Sequence, residues 1–148
     1  MKKVELRGRW LIKAPKSKIY DVIVDFERSV ELFPDVAKSI EVLERNGTHL
    51  RIEAKTKASK LSKTSTVKMD TQLNPPNGFH STNTSSLCIE DETVTLEETD
   101  DGTVFDYKND VTITTNRFIR PLVNLLISKI ALKFWEKKYI VPLKRMLE

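Results

Sequence analysis

The sequence predicts an α+β domain in which a curved, seven-stranded antiparallel sheet lies across one long C-terminal helix. Three observations predict it. Apolar and polar residues alternate in short runs between Val4 and Ile113, the period of strands buried on one face. Turn words such as Asn46-Gly47, Asn74-Pro75-Pro76-Asn77-Gly78 and Asp100-Asp101-Gly102 break those runs at hairpin spacing. Residues 121–147 then carry apolar side chains at helical spacing, with Pro142 inside the run. A chain of 148 residues, 39% hydrophobic and 31% charged, fits one domain over residues 1–148 and needs no disulfide or metal to fold.

The elements follow in order. Val4, Leu6, Trp10 and Ile12 share one parity against Glu5, Arg7, Arg9 and Lys13, a half-buried strand that Ala14-Pro15 stops. Ser17 is the expected N-cap of a short helix in which Ile19, Tyr20, Ile23 and Phe26 recur at helical spacing. A second short helix over residues 29–32 ends before Pro34. Ile40 and Val42 open a hairpin whose Asn46-Gly47 predicts a type I′ turn, answered by Leu50, Ile52 and Ala54. Val67, Met69, Thr71 and Leu73 form the next strand, and Phe79 to Leu87 is a β-prone run rich in Ser and Thr. Val94 and Leu96 mark another. Phe105, Tyr107, Val111 and Ile113 share the parity of the last.

The final helix, about 40 Å long at 1.5 Å per residue, should kink at Pro142, which lacks an amide donor and crowds the preceding turn. It is too apolar for one stripe. On an ideal wheel Val123, Leu126, Ile127, Ile130 and Phe134 gather on one side, while Leu125, Leu132 and Trp135 fall on the other. One stripe covers the sheet; the other meets the short helices, a second subunit or a membrane. The apolar-rich stretch 118–135 is interrupted by Arg120, Pro121, Asn124, Ser128, Lys129 and Lys133 and falls short of the about 20 apolar residues a bilayer span needs. The N-terminus has no apolar core of a signal peptide, and the single Cys88 makes a reducing compartment the default. A soluble, cytoplasmic protein is expected, monomeric or weakly dimeric.

The net charge is +4, but residues 118–148 carry seven cations and two anions, leaving the rest nearly neutral. Such asymmetry suits a membrane surface or a partner rather than nucleic acid.

The order of elements and several local words resemble the START-like, or helix-grip (SRPBCC), superfamily, closest to its coenzyme Q-binding and polyketide cyclase-like branch. The words are Ile12-Lys13-Ala14-Pro15, Ile19-Tyr20-Asp21-Val22-Ile23-Val24-Asp25, Phe33-Pro34-Asp35-Val36, Val42-Leu43-Glu44 before Gly47, Asn74-Pro75-Pro76, Gly102-Thr103 and Leu143-Lys144. The resemblance implies a helix-grip fold with a cavity between sheet and helix. It further implies binding or carriage of a hydrophobic small molecule such as a quinone, a lipid or a polyketide-like ring, and in a minority of relatives catalysis. The strand from Phe79 departs from the family by placing hydroxyl or amide groups inward at either parity.

The chemistry visible in the residues is sparse. His49, His80 and Cys88 stand in no zinc motif, the four glycines make no phosphate loop, and no nucleophile word appears. No cofactor, metal or catalytic residue is expected. His80 has the sharpest reading: facing a cavity it serves as a general base or hydrogen-bonds a carbonyl, whereas the plainer expectation is an exposed strand histidine. Glu90-Asp91-Glu92, Glu97-Glu98 and Asp100-Asp101 read as solvated loops, because adjacent residues do not converge. The candidate cavity wall is Trp10, Met69, Phe79, His80, Phe105, Tyr107 and Asn109, with Leu126, Ile130 and Phe134 from the helix. Tyr107 and Asn109 need hydrogen-bond partners if buried. A cyclase or hydrolase built on His80 and Tyr107, or an interaction module on the last helix, are the alternatives. Finally, alternating strands bring Lys57, Lys60 and Lys63 to the same sheet edge as Phe118 and Ile119, a candidate dock for an anionic membrane.

Overall fold

The structure, a computed structural model, describes residues 2–56 and 65–148. Strand β1 (Lys2–Ile12) leads into helix α1 (Lys16–Ile23), a 3₁₀ turn (Phe26–Arg28) and helix α2 (Ser29–Leu32). Six strands follow: β2 (Ser39–Asn46), β3 (His49–Thr56), β4 (Ser65–Asn74), β5 (Gly78–Thr84), β6 (Cys88–Thr99) and β7 (Gly102–Ile113). The C-terminal helix, α3, occupies residues 120–147 as α-helical stretches joined by π-helical turns at Ile127–Ala131 and Glu136–Ile140. The sheet is antiparallel throughout, in the order β1-β7-β6-β5-β4-β3-β2, so every hairpin is local and only β1 crosses to close on β7. This is the α+β arrangement of sheet over helix that the alternation and turn words predict.

The register follows the apolar parity. Ile12, Ile52, Phe105, Val111 and Ile113 are buried on the concave face, with Val42 and Met69 packed beside them. Burial alternates without a break along β7, whose inward residues are Thr103, Phe105, Tyr107, Asn109, Val111 and Ile113. The convex face is charged, with Arg9 Nη1 donating to Asp106 Oδ2 at 2.7 Å. Each fully buried Ile or Leu contributes about 1.5–3 kcal/mol by leaving water. Ile12, Ile19, Ile140 and Leu143 do so at one end of the sheet, where α1 meets the last turns of α3. There Thr103 Oγ1 donates to the Ala14 carbonyl at 2.8 Å, and the Lys13 amide donates to Glu148 at 3.0 Å. That end is closed.

Three local expectations are corrected. Pro15, not Ser17, is the N-cap of α1, and no side chain caps it. Of the Asn46–His49 loop only Gly47 has a positive φ, +60°. A type I′ turn needs positive φ at both central residues, so glycine instead takes the first central position, as in type II′. Finally, Pro142 lies in the first turn of the last α-helical stretch, Val141–Leu147, and the irregularity it was expected to cause lies just upstream as the Glu136–Ile140 π turn. Gly8 has a role the sequence left unassigned: the Trp10 indole lies over it, and a Cβ there would sit 2.2 Å from the ring.

Candidate functional site

The opposite end of the sheet, where β3, β5 and β7 finish, is open. Between it and the first turns of α3 lies a cavity of about 650 Å³. Thr56, Ser65, Ser85 and Leu87 form its sheet-side rim, and Val123, Leu126, Ile127, Ile130 and Phe134 its helix side. A deeper chamber of about 240 Å³ runs on beneath α2, walled by Phe33, Met69, Phe79, Val94 and Tyr139. Glu90, Tyr107 and Trp135 border both. Ligand pockets usually fall between about 300 and 1,000 Å³. A separate depression of about 570 Å³ on the convex face is lined by Lys3, Glu5, Asp91 and Asp110 with Val4, Ile89 and Thr112.

A column of rings forms the back of the cavity. Tyr107 stacks on Trp135 with centroids 4.2 Å apart, Trp135 on Tyr139 at 4.6 Å, and Tyr139 on Phe33 at 4.2 Å. Sheet, C-terminal helix and the α2 segment are thereby joined through one aromatic pile. Trp10 and Phe105 pack at a tilt against Trp135, at 5.6 Å each, behind the pile. They are core side chains.

The two carboxylates of the polar floor, beside the expected Tyr107 and Asn109, are the part that the sequence reading missed. Glu90 and Glu92 are two residues apart on β6, share its inner face with Val94 and Leu96, and project into the cavity. Asn109 Nδ2 donates to Glu90 Oε1 at 2.8 Å and to Tyr107 Oη at 3.0 Å. Tyr107 Oη donates in turn to Glu92 Oε2 at 3.0 Å. From the other side the Asn83 amide supports Glu92, Ser81 Oγ donates to Asn83 Oδ1 at 2.6 Å, and Thr71 lies 2.8 Å from Ser81. The chain of bonds fixes the Asn109 amide orientation, and it leaves Asn109 Oδ1 buried without a partner among the described residues.

Both carboxylates are half-buried and border the cavity. Burial pushes the Glu92 carboxyl up from 4.5 to about 7, the Glu90 charge adding to the effect and the Tyr107 and Asn83 hydrogen bonds opposing it. Burial raises Glu90 as well, against its bond from Asn109. The Tyr107 hydroxyl is pushed well up by burial and by the two carboxylates, and Tyr139 is raised by burial and by Glu92.

Of the residues singled out from sequence, Met69, Phe79, Tyr107, Asn109, Leu126, Ile130 and Phe134 border one chamber or the other. His80 does not. It lies on the convex face, hydrogen-bonded to Asp91, because Phe79 points inward and its neighbour must point out. On the helix the Leu132–Trp135 side packs against the core, whereas Leu126, Ile130 and Phe134 stand at the rim and remain exposed. A π turn advances less per residue than an α turn, so an ideal wheel loses its phase after Ile127. Phe118 and Ile119 are exposed beside the mouth; Lys57, Lys60 and Lys63 lie outside the described residues. Among the described residues no helix is long and apolar enough to cross a membrane.

Neither a protein-family model nor a curated protein matches this sequence. Solved structures do match it in shape. The di-domain aromatase/cyclase BexL from the BE-7585A biosynthetic pathway superposes with a TM-score of 0.80 at 16% identity, over 99% of this chain and 50% of that one, so the present chain spans half its length. The Zhui aromatase/cyclase from Streptomyces sp. R1128 gives 0.77 at 10% identity, covering 98% of this chain and 93% of that one. A START superfamily protein from Mycobacterium smegmatis gives 0.60 at 13%, over 94% and 98%. The chain has the START-like helix-grip fold.

Proposed function

We propose that this protein binds a largely hydrophobic, ring-bearing small molecule in the cavity between sheet and α3 and carries it with its polar end against Glu90, Tyr107 and Asn109. One observation carries the reading: an open cavity of about 650 Å³ whose wall is a stacked aromatic column and whose floor is a convergent polar cluster. Apolar walls supply affinity and a few fixed polar groups supply orientation, the usual composition of a ligand site. Similarity of fold to aromatase/cyclases and to a START superfamily protein supports the same reading. The exposed apolar side chains Phe118, Ile119 and Leu122 beside the mouth would serve as a dock on an anionic membrane, from which a carrier takes its cargo.

The test is titration with a neutral naphthyl fluorophore. Saturable one-to-one binding, abolished when Ala131→Trp fills the cavity, supports the reading; binding that never saturates, or survives that substitution unchanged, overturns it. A second reading, proton-transfer catalysis on a bound ring, is favoured by Glu92, which is held near neutrality beside the Tyr107 hydroxyl. It requires turnover that Glu92→Gln abolishes while binding of the same molecule persists.

A further inference from the structure

Building on the reading of the cavity as a ligand site, we propose that its occupant is an organic cation, a ring-bearing amine or related onium compound whose positive end sits between Glu90 and Glu92. Charge balance is the first reason. The charged side chains bordering the two chambers are Asp35, Glu90 and Glu92, with no Lys, Arg or His among the described residues. Asp35 is held by Lys138 at 3.2 Å. Glu90 and Glu92 have no cationic partner among the described residues, and their bonds come from neutral amides and a phenol. Two carboxylates out of bulk water repel each other and lose hydration, a cost that an opposite charge placed between them offsets.

Hydrogen-bond capacity is the second. Asn109 spends both amide hydrogens, on Glu90 and on Tyr107, and Tyr107 spends its only one on Glu92. Once Glu92 has lost its proton, these groups offer acceptor capacity: the second carboxylate oxygens and Asn109 Oδ1, which has no partner among the described residues and whose residue is 1% exposed. A ligand that brings donors, as an ammonium does, matches that capacity. The remaining wall, Trp135, Met69 and Phe79, receives the apolar body. A fatty acid would add a third negative charge to the floor and is selected against.

Calorimetry at pH 8 on the full chain tests this with three probes of one framework: 2-(2-naphthyl)ethylamine, 2-(2-naphthyl)ethanol and 2-naphthylacetate. The amine is expected to bind at least tenfold tighter than the alcohol, and the carboxylate more weakly than either. The double variant Glu90→Gln/Glu92→Gln should lose the amine preference, binding amine and alcohol within about twofold of each other, and a cooperative thermal melt reports that it is folded. Asp35→Asn should keep the preference. Equal binding of amine and alcohol, or tighter binding of the carboxylate, overturns the cation assignment and leaves the cavity a ligand site. If none of the three binds, the ligand-site reading falls with it.

Discussion

Replacing Glu92 by glutamine should make the protein more stable, and only at the alkaline end of its range. The folded chain holds a proton on Glu92 up to about pH 7, whereas the ordinary carboxyl releases it near 4.5. Between those two values the folded state keeps a proton that the unfolded state has lost, so stability falls as pH rises. The contribution of this group is full below about pH 4.5 and gone above pH 7. At 1.36 kcal/mol per tenfold step in proton affinity the loss is roughly 3 kcal/mol. Glutamine is nearly isosteric, keeps an oxygen to accept from Tyr107, and cannot ionise. Glu92→Gln should therefore match the parent near pH 4.5 and exceed it by roughly 2–3 kcal/mol at pH 8. In a chain of this size that is a Tm gain of about 5–10 °C. Urea denaturation and thermal melts at half-unit pH intervals would measure it. A difference between the two proteins that is the same at pH 4.5 and pH 8, or a glutamine variant less stable at pH 8, would refute the assignment of Glu92 as a carboxylate raised by burial, with no cationic partner among the described residues.

Phe105→Ala should cost about 3–5 kcal/mol in urea denaturation and leave probe affinity per folded molecule within twofold, since Phe105 is core behind the ring column. Gly8→Ala should destabilise by about 1–3 kcal/mol and shift Trp10 fluorescence, because the added methyl displaces the indole that covers the glycine. Flotation with anionic liposomes should recover the protein at low salt and fail for Phe118→Ser/Leu122→Ser, two exposed side chains whose removal leaves the melting temperature within about 2 °C. Equal flotation of both proteins would place membrane contact, if any, elsewhere.

The architecture was legible because each strand announces one face. Val4, Leu6 and Ile12, or Leu50, Ile52 and Ala54, repeat at the spacing that burial imposes, and the turn words lie between them. The carboxylates of the polar floor were hidden by the same rule applied too locally. Judged as neighbours, Glu90, Asp91 and Glu92 cannot converge; but Val94 and Leu96 already fix the inward parity of β6. Extending it back two and four residues puts Glu92 and Glu90 in the cavity and Asp91 outside. His80 fails for the matching reason, since it cannot share a face with Phe79. No residue pattern discloses the π turns in α3; the first, at Ile127–Ala131, alters the angular phase of the helix and sends Trp135, not Phe134, into the ring column. That outcome depends on packing against three other elements, beyond any window along the chain.

The central claim is that the sheet–helix cavity holds a small molecule, and native mass spectrometry of the protein recovered from its own cells tests it most directly. The account predicts one non-covalent adduct per chain, released by organic solvent and absent from Ala131→Trp, whose indole occupies the same space. A chain recovered bare, and still bare after incubation with a lipid-soluble extract of those cells, would contradict it, as would an adduct that Ala131→Trp retains.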